Sequence, residues 1–536
     1  MRPFDSQGNF RPTAEAEGIR RLAIRGAGVT VVSQGVGLGT QIIATVVLAR
    51  LLTPSDFGVV AMVTTFSLLL LNFGLNGFSE AVLQREEMNA GLASNLFWIN
   101  LTAGVSLALA FAAAGSLLAR FYGDARVASV AAGVSVTIFM TSTSVLHRAL
   151  LLRAMRFAAV SANDILARAV SVTVSIGFGC AGWGYWALVA GAIAFPLSTA
   201  AGAWILCPWV PSPPRRVAGT GEMVKFAIHT YGRFTVNYFT NNLDKLLVGW
   251  RFDALSLGFY KRAYDLFALS AYQLVGPLTS VAVSGLSRFQ RDSVQYRRYV
   301  LRAIAVMAFI GMGVAADLML IGKDLIRLLL GPGWEPAGRI FIFFAPGVGI
   351  MLVHGAHGWI HLSSGRADRF FRWGIVEFIV TGLLFITGLH WGPVGIAVAW
   401  STSAWLLTLP SFWYAGIPIG FRVGRVIDAI WKYIAAALVA GCGSALLLST
   451  SAMTVTNAGA GGALIRVVLT SATVAVLYLG IVTLLHRGLE PLKQFTALLA
   501  EMIPASKSST AEMDLAVADG QTATTSTLSV SGASTP

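Results

Sequence analysis

Apolar stretches of about twenty residues, each ended by a short polar break, follow one another through this chain almost from end to end. A hydrocarbon layer about 30 Å thick takes about 20 residues of helix to cross, so each stretch is long enough to span it. Backbone N–H and C=O groups cannot go unpaired in lipid, which makes the helix the natural spanning element. The pattern predicts about fourteen spans, at 28–50, 58–83, 95–119, 126–146, 159–180, 183–206, 227–250, 258–284, 301–321, 339–361, 373–390, 393–415, 429–449 and 463–485. The expected fold class is an all-α integral membrane protein.

Composition agrees. Of 536 residues, 55% are hydrophobic and only 12% charged, and the mean hydropathy is +0.70. A soluble domain carries about twice that share of charge, so the length goes into spans and not into several soluble domains. Residues 1–18 are polar and hold no apolar signal core, so no cleaved signal peptide is expected. Cys180, Cys207 and Cys442 are too scattered for a disulfide framework or a thiolate metal site. From about Ala505 onward the chain is rich in Ser, Thr, Ala and Gly, which predicts a disordered tail with no assigned role.

The net charge of +14 would suggest nucleic acid in a soluble protein. Here the basic residues sit in alternate loops. Arg20, Arg21 and Arg25 precede the first span, and Arg148, Arg153 and Arg156 separate the fourth from the fifth. Arg288, Arg291, Arg297, Arg298 and Arg302 lie between the eighth and ninth, Arg366, Arg369 and Arg372 follow the tenth, and Arg422, Arg425 and Lys432 follow the twelfth. The positive-inside rule then places both termini in the cytoplasm of a bacterial inner-membrane protein. Topology and attraction to anionic lipid account for this charge, so no nucleic-acid partner is expected. No loop is long enough for a soluble domain or an outside catalytic loop, and no GxxxxGK[ST] phosphate loop is present. The chain reads as a transporter, not an enzyme, and no cofactor is expected.

An internal repeat organises the spans. Shifted by 200 residues, Leu51-Leu52-Thr53-Pro54-Ser55-Asp56-Phe57-Gly58 falls on Arg251-Phe252-Asp253-Ala254-Leu255-Ser256-Leu257-Gly258. Leu117–Gly123 parallels Leu325–Gly331, and Trp183-Gly184 opens one span as Trp391-Gly392 opens another. The architecture is two pseudo-symmetric six-helix lobes plus two C-terminal helices. The segments are 1–27 (cytoplasmic), 28–206 (N-lobe), 207–226 (cytoplasmic linker), 227–415 (C-lobe), 416–504 (last two helices) and 505–536 (tail). An even number of spans per repeat makes the halves parallel, related by an axis along the membrane normal.

Function should reside in polar groups that hydrocarbon would exclude. In the seventh span Thr230, Arg233, Asn237, Thr240, Asn241 and Asp244 recur at three- and four-residue steps, with Lys245 at the edge of the stripe. Facing lipid, these charges would cost several kcal/mol, so the stripe faces protein or a wet cavity. Two readings stand: a cavity lining, or a buried interhelical hydrogen-bond network. The first span carries a milder match in Ser33, Gly37, Thr40 and Gln41. Arginine and lysine beside amides suit a ligand bearing phosphate and sugar. Asp164 and Arg168 are spaced for an i,i+4 ion pair. Tyr260, Lys261, Arg262, Tyr264 and Asp265 read either as an interfacial belt or as a sugar-stacking mouth. His354, His357 and His361 share a helix face, but no carboxylate or cysteine lies on it, so no metal is expected. Gly35–Gly39 predicts close packing or a bend, and Pro277 and Pro346 predict kinks.

Leu48–Gly58, Asn241–Gly249, Gly276-Pro277, Leu330–Pro336 and Phe371–Gly374 together resemble the polysaccharide transporter family of lipid-linked oligosaccharide flippases, over about residues 20–415. That family belongs to the multidrug/oligosaccharidyl-lipid/polysaccharide superfamily. The resemblance implies a flippase that moves undecaprenyl-diphosphate-linked oligosaccharide from the cytoplasmic to the periplasmic leaflet by alternating access, for exopolysaccharide, O-antigen or capsule assembly. Its partners would be that lipid-linked substrate, the bilayer, and polymerase and chain-length or export proteins of the same pathway. Under this reading Arg25, Arg233 and Lys245 neutralise diphosphate, Gln41, Asn237 and Asn241 bond sugar, Asp244 tunes or couples the charge, and Arg262 completes the substrate site. The alternative is a cation-coupled small-molecule (multidrug) antiporter of the same superfamily, which calls for acidic and aromatic linings. A membrane-embedded polymerase or transferase is the weaker third reading.

Overall fold

The structure is a computed structural model, and it describes residues 3–10, 16–85, 87–269, 286, 292–450 and 459–493. Among them the architecture is all α, with helices joined by tight turns. The first half holds α1 (Ala16–Leu51), α2 (Pro54–Phe73), α3 (Ser79–Gln84), α4 (Ala90–Ala113), α5 (Gly115–Tyr122), α6 (Arg126–Ser142), α7 (Val145–Arg153), α8 (Phe157–Cys180) and α9 (Tyr185–Leu206). The second holds α10 (Thr220–Arg251), α11 (254–269), α12 (Ser293–Leu330), α13 (Glu335–Ser363), α14 (Ala367–Gly388) and α15 (Gly392–Gly416), followed by α16 (Val423–Thr450) and α17 (Ala460–His486). Among the described residues eleven segments are long and apolar enough to cross a membrane, and one of them, Asp368–Ile419, is broken at Leu389–Trp391 into α14 and α15. The protein is a multi-pass membrane protein. The tail from Ala505 and the kink expected at Pro277 lie outside the described residues.

Local chemistry sets the turns. Thr53 and Asp56 cap α2 reciprocally, each side chain bonding the other's backbone N–H, with Pro54 in the first turn. This satisfies donors that a helix start leaves unpaired. Asn89 and Asp292 cap α4 and α12 in one direction only, their side chains accepting from Leu92 N–H and from Val294 and Gln295 N–H. The stretch expected as one helix over 58–83 is interrupted by a π-helical turn, Gly74–Phe78. There a Cβ on Gly74 would stand 2.5 Å from Asn100 Oδ1, so a neighbouring side chain occupies the space and the helix re-registers around it.

The two repeats meet where their sequences match. A Cβ on Gly58 would stand 1.6 Å from the Ala254 carbonyl oxygen, and one on Gly258 would stand 1.9 Å from that of Pro54. Each repeat thus lays its glycine on the other's helix start, an isologous contact of the kind a two-fold axis generates. Around this seam Arg50 donates to the Leu328 carbonyl at 3.0 Å and Trp334 Nε1 to the Ala49 carbonyl at 3.0 Å. Phe57 packs edge-on against Trp334. These contacts gather at the end of the bundle that carries the α1–α2 turn. Most of the exposed arginines, Arg298, Arg302, Arg366, Arg372, Arg422 and Arg425 among them, lie at the opposite end.

The last two helices lean on α12. Tyr478 donates to the Phe309 carbonyl at 2.7 Å, and Arg466 grips Asp324 through two contacts of 2.6 and 3.0 Å. In the first half the ion pair differs from the expected one: Asp164 is bound bidentately by Arg148 of α7, with one contact of 2.7 Å. Arg168 instead lies against α1, within 3.6 Å of where a Cβ on Gly37 would stand. A guanidinium fork meeting a carboxylate across two helices outcompetes a flexible i,i+4 pair on one. A double-mutant cycle on thermal unfolding is expected to couple Arg148→Ala to Asp164→Asn by about 1 kcal/mol, with none between Asp164→Asn and Arg168→Ala.

Candidate functional site

The charged stripe of α10 closes on α11. Asp244 and Lys245 are 1% and 5% exposed, although both are charged. Lys245 Nζ donates to the Asn241 carbonyl at 3.0 Å and to Asn242 Oδ1 at 3.2 Å, and stands 3.5 Å from Asp244 Oδ1. It also lies 3.8 Å from the centre of the Tyr264 ring, so the ammonium is ringed by oxygens and one aromatic face. The other carboxylate oxygen of Asp244 accepts from the Tyr260 hydroxyl at 2.8 Å. Burial of this pair is tolerable because each charge finds an opposite charge and further hydrogen bonds.

One step along α11, Lys261 pairs with Asp265 at 2.5 Å, and Arg262 lies 3.5 Å from Asp265 Oδ2. The Arg262 guanidinium sits 3.9 Å above the ring of Phe57, so it crosses the seam between the repeats. Its Nε is buried with no hydrogen-bond partner. Asn241 is exposed on α10, and Gln41 is exposed on α1. The structure therefore gathers Asp244 and Lys245 into one network, sets Arg262 on the neighbouring helix, and leaves Asn241 and Gln41 at surfaces. The side chains of Arg25, Arg233 and Asn237 lie outside the described residues.

Tyr260 and Tyr264, expected at an interfacial belt or a sugar-stacking mouth, are instead buried as partners of Asp244 and Lys245. Their four-residue spacing and small, buried Ala263 between them mark one helix face, a signal the sequence contained. Nothing in the sequence pairs that face with Asp244, because the contact joins two helices.

A family model described as polysaccharide biosynthesis protein matches residues 47–339, more than half of the chain. The chain belongs to the polysaccharide biosynthesis protein family. That match agrees with the resemblance carried by Leu48–Gly58 and Asn241–Gly249 and runs through both. Within the family's reach, the chain is 20% identical over 425 residues to the lipopolysaccharide biosynthesis protein WzxC of Escherichia coli K12, covering 77% of this chain and 85% of WzxC. It is 20% identical over 391 residues to the succinoglycan biosynthesis transport protein ExoT of Rhizobium meliloti 1021, covering 73% of this chain and 78% of ExoT. Its fold is similar to that of the lipid II flippase MurJ in an inward closed conformation, with a TM-score of 0.68, 14% identity, and coverage of 87% of this chain and 99% of MurJ. At that identity the likeness concerns the fold.

Proposed function

We propose that this member of the polysaccharide biosynthesis family is a flippase, moving undecaprenyl-diphosphate-linked oligosaccharide from the cytoplasmic to the periplasmic leaflet for exopolysaccharide, O-antigen or capsule assembly. The observation that carries the reading is the family match over residues 47–339, which covers most of the first repeat, the charged helix α10 and the second repeat as far as the start of α13. The relatives WzxC and ExoT are named for polysaccharide biosynthesis and its transport, in agreement with such a cargo. The basic end of the bundle is cytoplasmic by the positive-inside rule, in the inner membrane, with both termini on that side. No enzymatic step is required of the chain.

The two repeats, 28–206 and 227–415, are the bodies that rock about the Gly58–Gly258 seam at the periplasmic end. With the seam closed, Lys245 is engaged by Asn241, Asn242, Asp244 and Tyr264. Access for a diphosphate then requires Lys245 to exchange these partners for phosphate oxygens. Arg25, Arg233 and Lys245 are assigned to the diphosphate, Gln41, Asn237 and Asn241 to sugar hydroxyls, and Asp244 and Arg262 to positioning the charge.

The test uses a strain lacking the protein, with lipid-linked oligosaccharide extracted and assigned to a leaflet by an impermeant sugar-oxidising or lectin probe. Accumulation facing the cytoplasm, with surface polymer lost, is the expected result. Accumulation facing the periplasm would assign the chain to a later step, and intact polymer without accumulation would refute the flippase role.

A further inference from the structure

His354, His357 and His361 have no carboxylate on their own face of α13, but folding supplies one from the next helix. Glu377 of α14 places Oε1 3.1 Å from His354 Nε2 and 3.6 Å from His357 Nε2. The three candidate ligand atoms lie within 4.8 Å of one another.

The partners of the remaining ring nitrogens decide what these atoms offer. His357 Nδ1 stands 2.5 Å from the His354 carbonyl oxygen, which can only accept, so in the neutral ring Nδ1 carries the proton and Nε2 a lone pair. The Thr408 hydroxyl of α15 donates its one proton to the Ala404 carbonyl at 2.6 Å. Toward His354 Nδ1, 3.3 Å away, it can then accept, which suits the His354 tautomer that carries its proton on Nδ1 and a lone pair on Nε2. With both rings in that tautomer, two imidazole lone pairs converge on one oxygen of a carboxylate that has only lone pairs of its own. Among the described residues Glu377 has no Lys or Arg ion-pair partner. His357 Nε2 is buried with no hydrogen-bond partner. The arrangement lacks one cation.

We propose that His354, His357 and Glu377 form a binding site for a divalent transition metal of the zinc class. Tetrahedral bonds of about 2.0–2.1 Å set ligand atoms about 3.3–3.4 Å apart; the two Glu377–histidine separations, 3.1 and 3.6 Å, bracket that spacing, and the two imidazole nitrogens lie within 4.8 Å of each other. Two imidazoles and a carboxylate are a donor set that such ions accept, with a fourth position left for water. The outer contacts also fit: both Nδ1 groups bond oxygen acceptors, and Trp373 Nε1 donates to Glu377 Oε1. Hydrogen bonds of this kind fix the tautomer and orientation of metal-bound imidazoles and carboxylates. One proton shared by His354 and Glu377 would answer the 3.1 Å contact but leave His357 Nε2 facing the carboxylate unpaired.

The surrounding charges do not substitute for the ion. Arg369, two turns earlier on α14, donates to the Tyr414 carbonyl at 2.7 Å and lies 4.3 Å over the Tyr414 ring. Asp368 is exposed at the start of α14. His361 packs between Phe370 and Tyr414 and is not a ligand. The ion would tie α13 to α14, with α15 supplying Thr408, and the site stands whatever cargo the protein carries.

The full chain, purified in nanodiscs, freed of its affinity tag and stripped with chelator, is titrated with Co²⁺. Saturation at one Co²⁺ per chain is expected, with the visible absorption of a four-coordinate ion, displacement by Zn²⁺, and a raised thermal midpoint. His357→Asn and Glu377→Gln, both close in shape to the originals, are each expected to weaken Co²⁺ binding at least a hundredfold, while His486→Ala leaves it unchanged. Absence of saturable binding by the unaltered chain would overturn the proposal even if neither variant could be purified. So would binding that survives both substitutions, or histidines that titrate with protons alone while Co²⁺ has no effect.

Discussion

Replacing Gly58 by valine is expected to abolish surface polymer while leaving the protein in the membrane at near-normal abundance. The Cβ of any other residue would stand 1.6 Å from the Ala254 carbonyl oxygen, far inside the sum of the two atoms' van der Waals radii. The obstacle is backbone, which has no rotamer to change, so the helix starts of α2 and α11 must separate. Overpacking typically costs about 1–3 kcal/mol, and here it falls on the state in which the seam is closed. A shift of about 3 kcal/mol changes the ratio of closed to open states about a hundredfold. Alternating access needs both states, so transport stops although the fold survives. Gly258→Val should behave alike, because its Cβ would stand 1.9 Å from the Pro54 carbonyl oxygen. The check is a surface-polysaccharide blot paired with thiol labelling of Ser55→Cys from outside the cell. Faster labelling than in the Gly58 parent is expected, and normal polymer from either valine variant would refute the seam as a moving contact.

That seam was half visible in the sequence. The repeat placed Pro54–Gly58 over Ala254–Gly258, but pattern alone could not reveal that the repeated segments touch each other. The spans were legible because hydrocarbon imposes a length and a composition on each helix separately. Breaks within a span were not: the π-helical turn at Gly74 answers to Asn100, a residue on another helix. The same limit explains the charges. Spacing suggested Asp164 with Arg168, yet Arg148 takes the carboxylate from α7. The histidines of α13 lacked a carboxylate on their own face, yet Glu377 arrives from α14. Periodicity reports which face of a helix is polar, and only packing decides what that face meets.

Lys245 is where that limit bears most on function, and its role can be separated by experiment. Lys245→Met alone is expected to reduce membrane abundance severely, because it leaves Asp244, 1% exposed, with the Tyr260 hydroxyl and no cation. Removing one partner of a buried pair costs about 3–5 kcal/mol, which is a large fraction of a typical folding free energy. Replacing both partners with neutral groups of similar size is often close to neutral. The double variant Asp244→Asn with Lys245→Met is therefore expected to recover abundance to within about twofold of the original protein, measured by membrane immunoblot. Polymer export then separates the two roles. A purely architectural pair predicts that export returns together with abundance. A pair that opens to receive diphosphate predicts recovered protein with export still lost, since no cation remains at that position on α10. The second outcome is the expected one: Lys245 has the Tyr264 face and three oxygens within 3.8 Å, contacts that a phosphate oxygen can replace without stranding the charge.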